Sequence, residues 1–420
     1  MLDLKLIRSD PDLVRAGLER RGAAGELDRV IELDARRREI LPGLEEARGS
    51  RREASERIGE AKREGREAEA EMAEVRKMKV RIEELEAELA TVEAELDGLV
   101  AELPNLPDLE APEGSEEADA VVLREVGERP EFEFDPRDHI ELAGERIEME
   151  QAAKASGARF AYLKGDLVML ELALVRWVLG LLSEEGYEPV VPPILVREEA
   201  LFGTGFLPGD RDQIYEVEKD ELFLAGTAEV PLASLGAGLI FEADRLPARF
   251  AGFSPCFRRE AGAAGRDTHG IFRVHQFDKV EMFSFVAPDL SADEHLRILG
   301  IEERILGELG LPYRVVDIPA GDLGASAARK FDCEAWIPSQ GRYREVTSCS
   351  NTTDFQARRL ACRFRPDAEA KPELVHTLNG TAIAVGRTII ALLENGQRAD
   401  GSVELPPVLV EFGAPAELVP

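Results

Sequence analysis

Between Val75 and Leu103, apolar residues fall at Val75, Met78, Ile82, Leu85, Leu89, Val92, Leu96, Leu99 and Leu103, with spacings that alternate three and four. A stripe of that period held over four heptads winds one helix against another, because a lone helix would leave the whole seam in water. The partner lies upstream. Leu27, Val30, Ile31, Leu41, Leu44, Ile58 and Ala61 form a less regular stripe, and Gly65 between the two segments marks the turn of an antiparallel helical hairpin. Pro42-Gly43 inside the first helix predicts a kink, since proline has no N–H to offer the preceding turn. Ahead of the hairpin, residues 1–26 read as a short helical preamble capped by Ser9 or Asp10.

Charge along this arm is uneven. From residue 36 to 81 there are 14 Lys and Arg against 11 Asp and Glu; from 82 to 103 there are 8 acids and no base. The tip is therefore basic and the base acidic. The whole chain carries a net charge of −31 at pH 7, which repels polyanions at long range, so an RNA partner must be captured by a local basic patch. Arg51, Arg52, Arg63 and Arg66 are the candidates near the tip.

A chain of 420 residues exceeds what one core usually serves, so more than one domain is expected. The Pro- and acid-rich stretch LPNLPDLEAPEGSEEAD at 103–119 has no period and marks the boundary: an N-terminal domain at 1–103, with the arm from about residue 27, a linker at 104–119 and a second domain at 120–420. The longest apolar run, 167–182, is broken by Glu171 and Arg176 and falls short of the roughly 20 residues a membrane span needs. It reads as a buried or interface helix capped by Asp166, and no membrane association is expected. The beginning of the sequence, with Asp3, Lys5, Arg8, Asp10 and Asp12, has no apolar stretch of signal-peptide type. Cys256, Cys333, Cys349 and Cys362 lack paired spacing, which favours reduced thiols and a cytoplasmic location. Cys333 and Cys349 also lack zinc-ligand spacing.

Function concentrates in Phe250–Phe285, FAGFSPCFRREAGAAGRDTHGIFRVHQFDKVEMFSF. Its first half alternates like a strand, directing Arg258 and Glu260 to one face. After the Gly-rich turn AGAAGRDTHG the chain returns through a second strand whose period of two groups Arg273, Phe277 and Glu281. An arginine on that face neutralises a phosphate, a glutamate accepts from an exocyclic amine and an aromatic stacks on a purine. Upstream, TAEV directs Thr227 and Glu229 to one face of an extended segment, where a hydroxyl and a carboxylate can hold an ammonium group.

FRRE, a loop and then R-x-x-x-F resemble the second signature of class II aminoacyl-tRNA synthetases, and the surrounding words resemble seryl-tRNA synthetases of the bacterial type. The likeness runs from MLDLKLIRSDPDLV through TAEVPL and EVTSCSNTTDFQARR to HTLNGTAIAVGRTIIALLENGQ. It implies an α+β fold: an antiparallel sheet flanked by helices for catalysis, preceded by the antiparallel coiled-coil arm. It implies activation of L-serine by ATP and transfer to tRNA(Ser), with tRNA(Sec) open as a second acceptor. The arm would reach the long variable arm of the tRNA, reading shape more than sequence. GYEPVVPPILV, with Pro192 and Pro193, resembles the first signature and implies a homodimer.

By the same resemblance Thr227, Ala228, Glu229, Glu281 and Thr381 bind serine, Glu281 receiving its hydroxyl. Arg258, Arg259, Glu260, Arg273, Val274, Phe277, Glu345, Val346, Thr347, Ser348 and Arg387 bind ATP, Arg258 and Arg387 being catalytic. Glu345 and Ser348 are oxygen ligands suited to Mg2+. Arg387 heads a helical run where a guanidinium meets the terminal phosphate. Thr381 stands where the family often has serine, keeping the hydroxyl and adding a methyl. His275 and His376 read as core histidines rather than general bases. Two other readings stay open: a paralogue loading a non-tRNA acceptor, and a catalytically silent RNA-binding relative.

Overall fold

The computed structural model describes residues 1–261 and 267–420, so the middle of the Gly-rich turn at 261–270 lies outside the described residues. Two compact units make up the chain: Leu2–Pro104, and Asn105–Pro420 together with Met1.

The first unit opens with α1 (Leu4–Ser9) and α2 (Pro11–Arg20). Asp10, rather than Ser9, caps α2 by accepting from the Leu13 N–H at 3.1 Å, with Pro11 at the position where a missing N–H costs nothing. The arm consists of α3 (Leu27–Arg63) and α4 (Glu69–Glu102), joined through a turn in which Gly65 has φ +69°. Helix α3 runs through Pro42 without interruption. Ion pairs Arg29–Glu95 at 2.7 Å, Arg37–Glu93 at 2.8 Å, Arg48–Glu86 at 2.9 Å and Arg57–Glu74 at 2.6 Å set the helices antiparallel. Glu86, Glu88, Glu93 and Glu95, four of the acids of residues 82–103, thus pair with arginines of α3.

Burial follows the expected seam at Ile82, Leu85, Val92 and Leu96, while Val75 and Met78 toward the tip are only half-buried and Val100 replaces Leu99 at the base. On α3 the buried row is Leu33, Ile40, Ala47, Ala54 and Ala61, a strict seven-residue repeat. The expected Ile31, Leu41 and Ile58 are only half-buried. Small residues let the helix backbones approach, and Gly43 belongs with them: a Cβ there would lie 4.0 Å from Leu85 Cδ1.

The second unit is built on an eight-stranded sheet of β1 (Val121–Val126), β2 (Glu188–Val190), β3 (Ala248–Phe257), β4 (Gln276–Val286), β5 (Tyr313–Asp317), β6 (Arg329–Ile337), β7 (Arg342–Asn351) and β8 (His376–Ala384). Their order is β1-β5-β6-β7-β8-β4-β3-β2, antiparallel except for the β2–β3 pair. Five helices matter for the site: α5 (His139–Ala143), α6 (Asp166–Glu184), α7 (Glu229–Ser234), α8 (Ser291–Glu308) and α9 (Val385–Asn395). Leu167, Leu170 and Leu174 of α6, Ile298 and Ile305 of α8, and Ile389 and Ile390 of α9 share one core with the inward side chains of the sheet, among them Val280, Met282, Phe331 and Ile383. That packing leaves the opposite face of β4, β7 and β8 open to a cavity.

Two sequence expectations change here. Asp166 is the first residue of α6 and pairs with Arg146 at 3.6 Å instead of capping, because Gly165 with φ +58° occupies the cap position. From Asn105 onward the expected linker is part of the second unit: Asn105 donates to the Ser326 and Thr352 carbonyls at 2.9 Å, and the carbonyls of Pro112 and Gly114 accept from Ala320 and Gly321. Among the described residues no helix is long and apolar enough to cross a membrane, no acid, Cys and His cluster forms a metal cage, and all four cysteines are buried free thiols.

Candidate active site

The hairpin of β3 and β4 pairs from Phe285↔Ala248 to Gln276↔Phe257. Arg258 and Glu260 therefore lie just past the end of β3, not within it, and Glu260 adopts φ +50°. Arg258 is held by its backbone, whose N–H donates to the His275 carbonyl at 3.0 Å, and by its Nε, which donates to the Gly226 carbonyl at 3.2 Å. Its guanidinium rests 5.4 Å from the centre of the Phe277 ring. Glu260 pairs with Arg273 at 2.6 Å. These side chains border a cavity of about 390 Å³.

One end of the cavity is a buried charge cluster. Thr227 sits in a bend and its hydroxyl accepts the Glu229 N–H at 3.2 Å, so TAEV is the start of α7 rather than an extended segment. Both side chains still reach the cavity. Lys279, on the same face of β4 as Phe277 and Glu281, donates to the Thr227 hydroxyl at 2.8 Å and forms an ion pair with Glu281. Glu229 accepts from Gln356 at 2.7 Å and from Asn379 at 3.0 Å. Burial, reinforced by the nearby charge of Glu281, pushes the Glu229 carboxyl up to about 7. Glu281 stands opposite Thr381 in the sheet. The ammonium of Lys279 is thus ion-paired with Glu281, while Glu229, bonded only to amides, lies in the field of Lys279 and Arg258 without an ion pair of its own.

The other end is cationic. Lys330, Arg258 and Arg387 border the cavity with Glu345, Val346 and Ser348. Arg387 donates to the Glu345 carbonyl at 3.1 Å and pairs with its carboxylate at 3.3 Å. Burial would raise Glu345, but Arg387, Lys330 and Arg258 outweigh it and draw the carboxyl down to about 2. Residues three apart on a regular strand point to opposite faces. Glu345 and Ser348 share a wall because Cys333 pairs with Thr347 and Glu334 with Glu345, which leaves Val346 unopposed in a bulge. A second bulge leaves Ala382 unopposed, between Ile383 paired with Val280 and Thr381 paired with Glu281.

Residues 214–396 match the tRNA synthetase class II core domain (G, H, P, S and T), and residues 1–107 match the seryl-tRNA synthetase N-terminal domain. The serine–tRNA ligase of Acidothermus cellulolyticus is 48% identical over 416 residues, covering 98% of each chain. A structure of seryl-tRNA synthetase from Pyrococcus horikoshii complexed with ATP superposes with TM-score 0.94 at 41% identity, covering 100% of both chains. The cytoplasmic serine–tRNA ligase from Naegleria fowleri in complex with AMP gives TM-score 0.87 at 32% identity, covering 100% of this chain and 99% of that one. The chain belongs to the seryl-tRNA synthetase family. It is a ligase of the class II fold, with a helical arm ahead of an antiparallel catalytic sheet.

Of the residues expected at the synthetase site, Thr227, Glu229, Arg258, Glu260, Arg273, Val274, Phe277, Glu281, Glu345, Val346, Ser348, Thr381 and Arg387 border the one cavity. Three do not. Ala228 is packed in a separate apolar cluster with Leu232 and Phe283. Arg259 directs an exposed side chain away while its N–H bonds the Gln213 carbonyl at 2.8 Å. Thr347 is turned behind the sheet, where its hydroxyl donates at 2.8 Å to Glu302, a fully buried acid that burial holds well above its usual range. His275 bonds the Arg258 carbonyl at 2.9 Å, and neither it nor His376 borders the cavity.

Sequence reading missed Lys279, Asn379 and Lys330. For Lys279 a signal was present, since the period of two that selects Phe277 and Glu281 passes through it. Removing its ammonium leaves Glu229 and Glu281 facing each other in the buried site. Lys279→Met should cost about 3–5 kcal/mol of stability. Adding Glu281→Gln to it should recover most of the loss in urea unfolding. Equal losses in the single and double variants would show that the cluster is not coupled.

Proposed function

We infer that the chain activates L-serine with ATP to seryl-adenylate and transfers the seryl group to the 3′ end of tRNA(Ser). The observation carrying this reading is the charge-deficient cluster of Glu229, Glu281 and Lys279 beside a cationic, nucleotide-sized cavity. A substrate ammonium beside Glu229 supplies the ion pair it lacks. A serine hydroxyl has Glu281 and Thr381 as partners on adjacent strands, and an acid left unpaired by alanine is how a polar pocket rejects it. The serine–tRNA ligase relatives and the ATP- and AMP-bound family structures support the substrates.

In the activation step a serine carboxylate oxygen attacks the α-phosphorus of ATP in line, the bond to the β-phosphate oxygen breaks and pyrophosphate leaves. Arg258, at the cationic end of the cavity, offsets the charge gained by the reacting phosphate. Phe277 offers a face to the adenine, Glu260 an acceptor for its amine, and Arg387 a guanidinium to the terminal phosphate. Glu345, ionised down to about pH 2, and the Ser348 hydroxyl are hard oxygen donors that fit Mg2+. When bound, the ion would offset phosphate charge. In the second step a terminal ribose hydroxyl of the tRNA attacks the mixed-anhydride carbonyl and AMP departs. Reduced, buried thiols accord with a cytoplasmic enzyme.

Serine-dependent ATP–pyrophosphate exchange followed by charging of tRNA(Ser) and tRNA(Sec) transcripts tests the whole reading. No exchange would favour a silent relative, and exchange without charging would favour a non-tRNA acceptor. Within that assay Glu229 makes a pH prediction. It is protonated below about pH 7 and charged above it, so ammonium binding strengthens as pH rises. KM for serine should fall by about tenfold between about pH 6 and pH 8. The Glu229→Gln variant should show a high, flat KM; a flat profile in the parent protein would remove Glu229 from ammonium binding.

The arm is read as the tRNA lever. Among the described residues Arg51 and Arg52 have no ion pair, whereas Arg66 is engaged by Glu64 at 2.7 Å and Arg63 bonds the Gly59 carbonyl at 3.2 Å. Reversing all four to glutamate should weaken tRNA binding, take up to about one unit per lost contact from the log–log salt slope and spare pyrophosphate exchange. Arg51 and Arg52 should account for most of the change. Normal charging by the fourfold variant would make the arm a spacer.

A second copy is the proposed cover for the apolar stripe of α6. Val168, Met169 and Leu172 are 37%, 48% and 54% exposed and Val191, beside Pro192, is 84% exposed. Light scattering should return twice the chain mass, while Leu172→Glu should return the single-chain mass. A parent protein that scatters as a single chain would refute the dimer.

A further inference from the structure

His139 lies outside the cavity, yet both of its ring nitrogens are committed. It opens the short helix α5 and is 3% exposed. Nδ1 is 3.2 Å from Glu394 Oε1, and the same oxygen accepts the His139 backbone N–H at 3.2 Å. Glu394 is itself fully buried, and its Oε2 accepts from the Ser339 N–H at 3.0 Å. On the other side Nε2 accepts the N–H of Ile271 at 3.2 Å. Only an unprotonated ring nitrogen accepts an N–H, so His139 is the neutral tautomer with its proton on Nδ1, donated to Glu394. A carboxylate on one nitrogen and an amide on the other fix both ring orientation and tautomer.

The amide so held introduces the segment Ile271–Val274, all of which borders the cavity. Immediately before it, Gly270 has φ +70°, and a Cβ there would fall 2.0 Å from His139 Nε2. Imidazole and backbone are therefore interlocked. Next comes Phe272, whose ring carries Arg344 at 3.8 Å and Arg387 at 4.8 Å. Arg387 and Glu394 belong to the same helix, α9, seven residues apart, which is close to two turns and hence one face. The loop segment is thus strapped to α9 at two points, through Phe272 to Arg387 and through His139 to Glu394.

We propose that His139 is a positioning residue for the phosphate end of the site, its neutral imidazole tying Ile271 to Glu394 so that Phe272 supports Arg387. The proposal rests on the reading of Arg387 as a phosphate ligand. His139→Ala should raise KM for ATP in pyrophosphate exchange by about tenfold, the factor for one buried hydrogen bond, with KM for serine changed by less than about twofold. His139→Gln, which keeps an acceptor, should restore part of the ATP affinity. Hydrogen exchange of the Ile271 amide should be slow in the parent protein and fast in His139→Ala. Gly270→Ala, which drives a methyl into the imidazole, should match it if the histidine variant does not fold. Equal changes in both KM values, or unaltered Ile271 protection in a folded variant, would overturn the strap. Absence of serine-dependent exchange in the parent protein would sink the functional reading instead, and the strap would then stand or fall on Ile271 exchange alone.

Discussion

Two buried carboxyls beside one buried ammonium is the constraint around which the catalytic unit is arranged. Taking Lys279, Glu229 and Glu281 out of water is costly unless each finds a partner. The fold supplies them from distant parts of the chain: Thr227 for Lys279, Gln356 and Asn379 for Glu229, and the ammonium for Glu281. Burial, with the charge of Glu281 added to it, still holds the Glu229 carboxyl up at about 7.

The remaining cavity combines bends in the sheet with loops such as Ile271–Val274. Both bulges fall beside the cavity, at Val346 in β7 and at Ala382 in β8. Each breaks the strict alternation of a strand so that neighbouring positions share a wall. The cationic end uses a different device. Arg387 stands in the first turn of α9 and is stacked on Phe272 while bonded to Glu345, so its guanidinium is oriented by contacts within the chain. Orientation set in advance spares the reorganisation that would otherwise weaken electrostatic stabilisation.

In the arm, packing and charge separate cleanly. The α3 side of the seam narrows to Ala47, Ala54 and Ala61, which allows close helix approach but contributes less apolar area per residue than leucine. Cross-helix pairs between α3 arginines and the acids of α4 fix the antiparallel register, each being exposed and individually weak. Those pairs consume much of the acidity that a linear charge count assigns to the base of the arm. Among the described residues Arg51 and Arg52 take no part in that pairing.

The linear sequence determined the features that depend on local period or on residue chemistry at short spacing. The heptad seam of α4, the turn at Gly65, the strand alternation that selects Phe277 and Glu281, and the motif words carrying Arg258, Glu345 and Arg387 are all of that kind. Ala47 and Ala54 in α3 escaped, although Ala61 did not, because alanine marks an interface no more strongly than it marks a surface. Tertiary structure alone decided the rest. Glu281 meets Thr381, and Glu394 meets His139, across 100 and 255 residues of chain. Such pairings depend on strand register and helix packing. A bulge at Val346 or Ala382 shifts which side chains face inward without leaving any period in the sequence, and so Thr347 faces Glu302 while Ser348 faces the cavity.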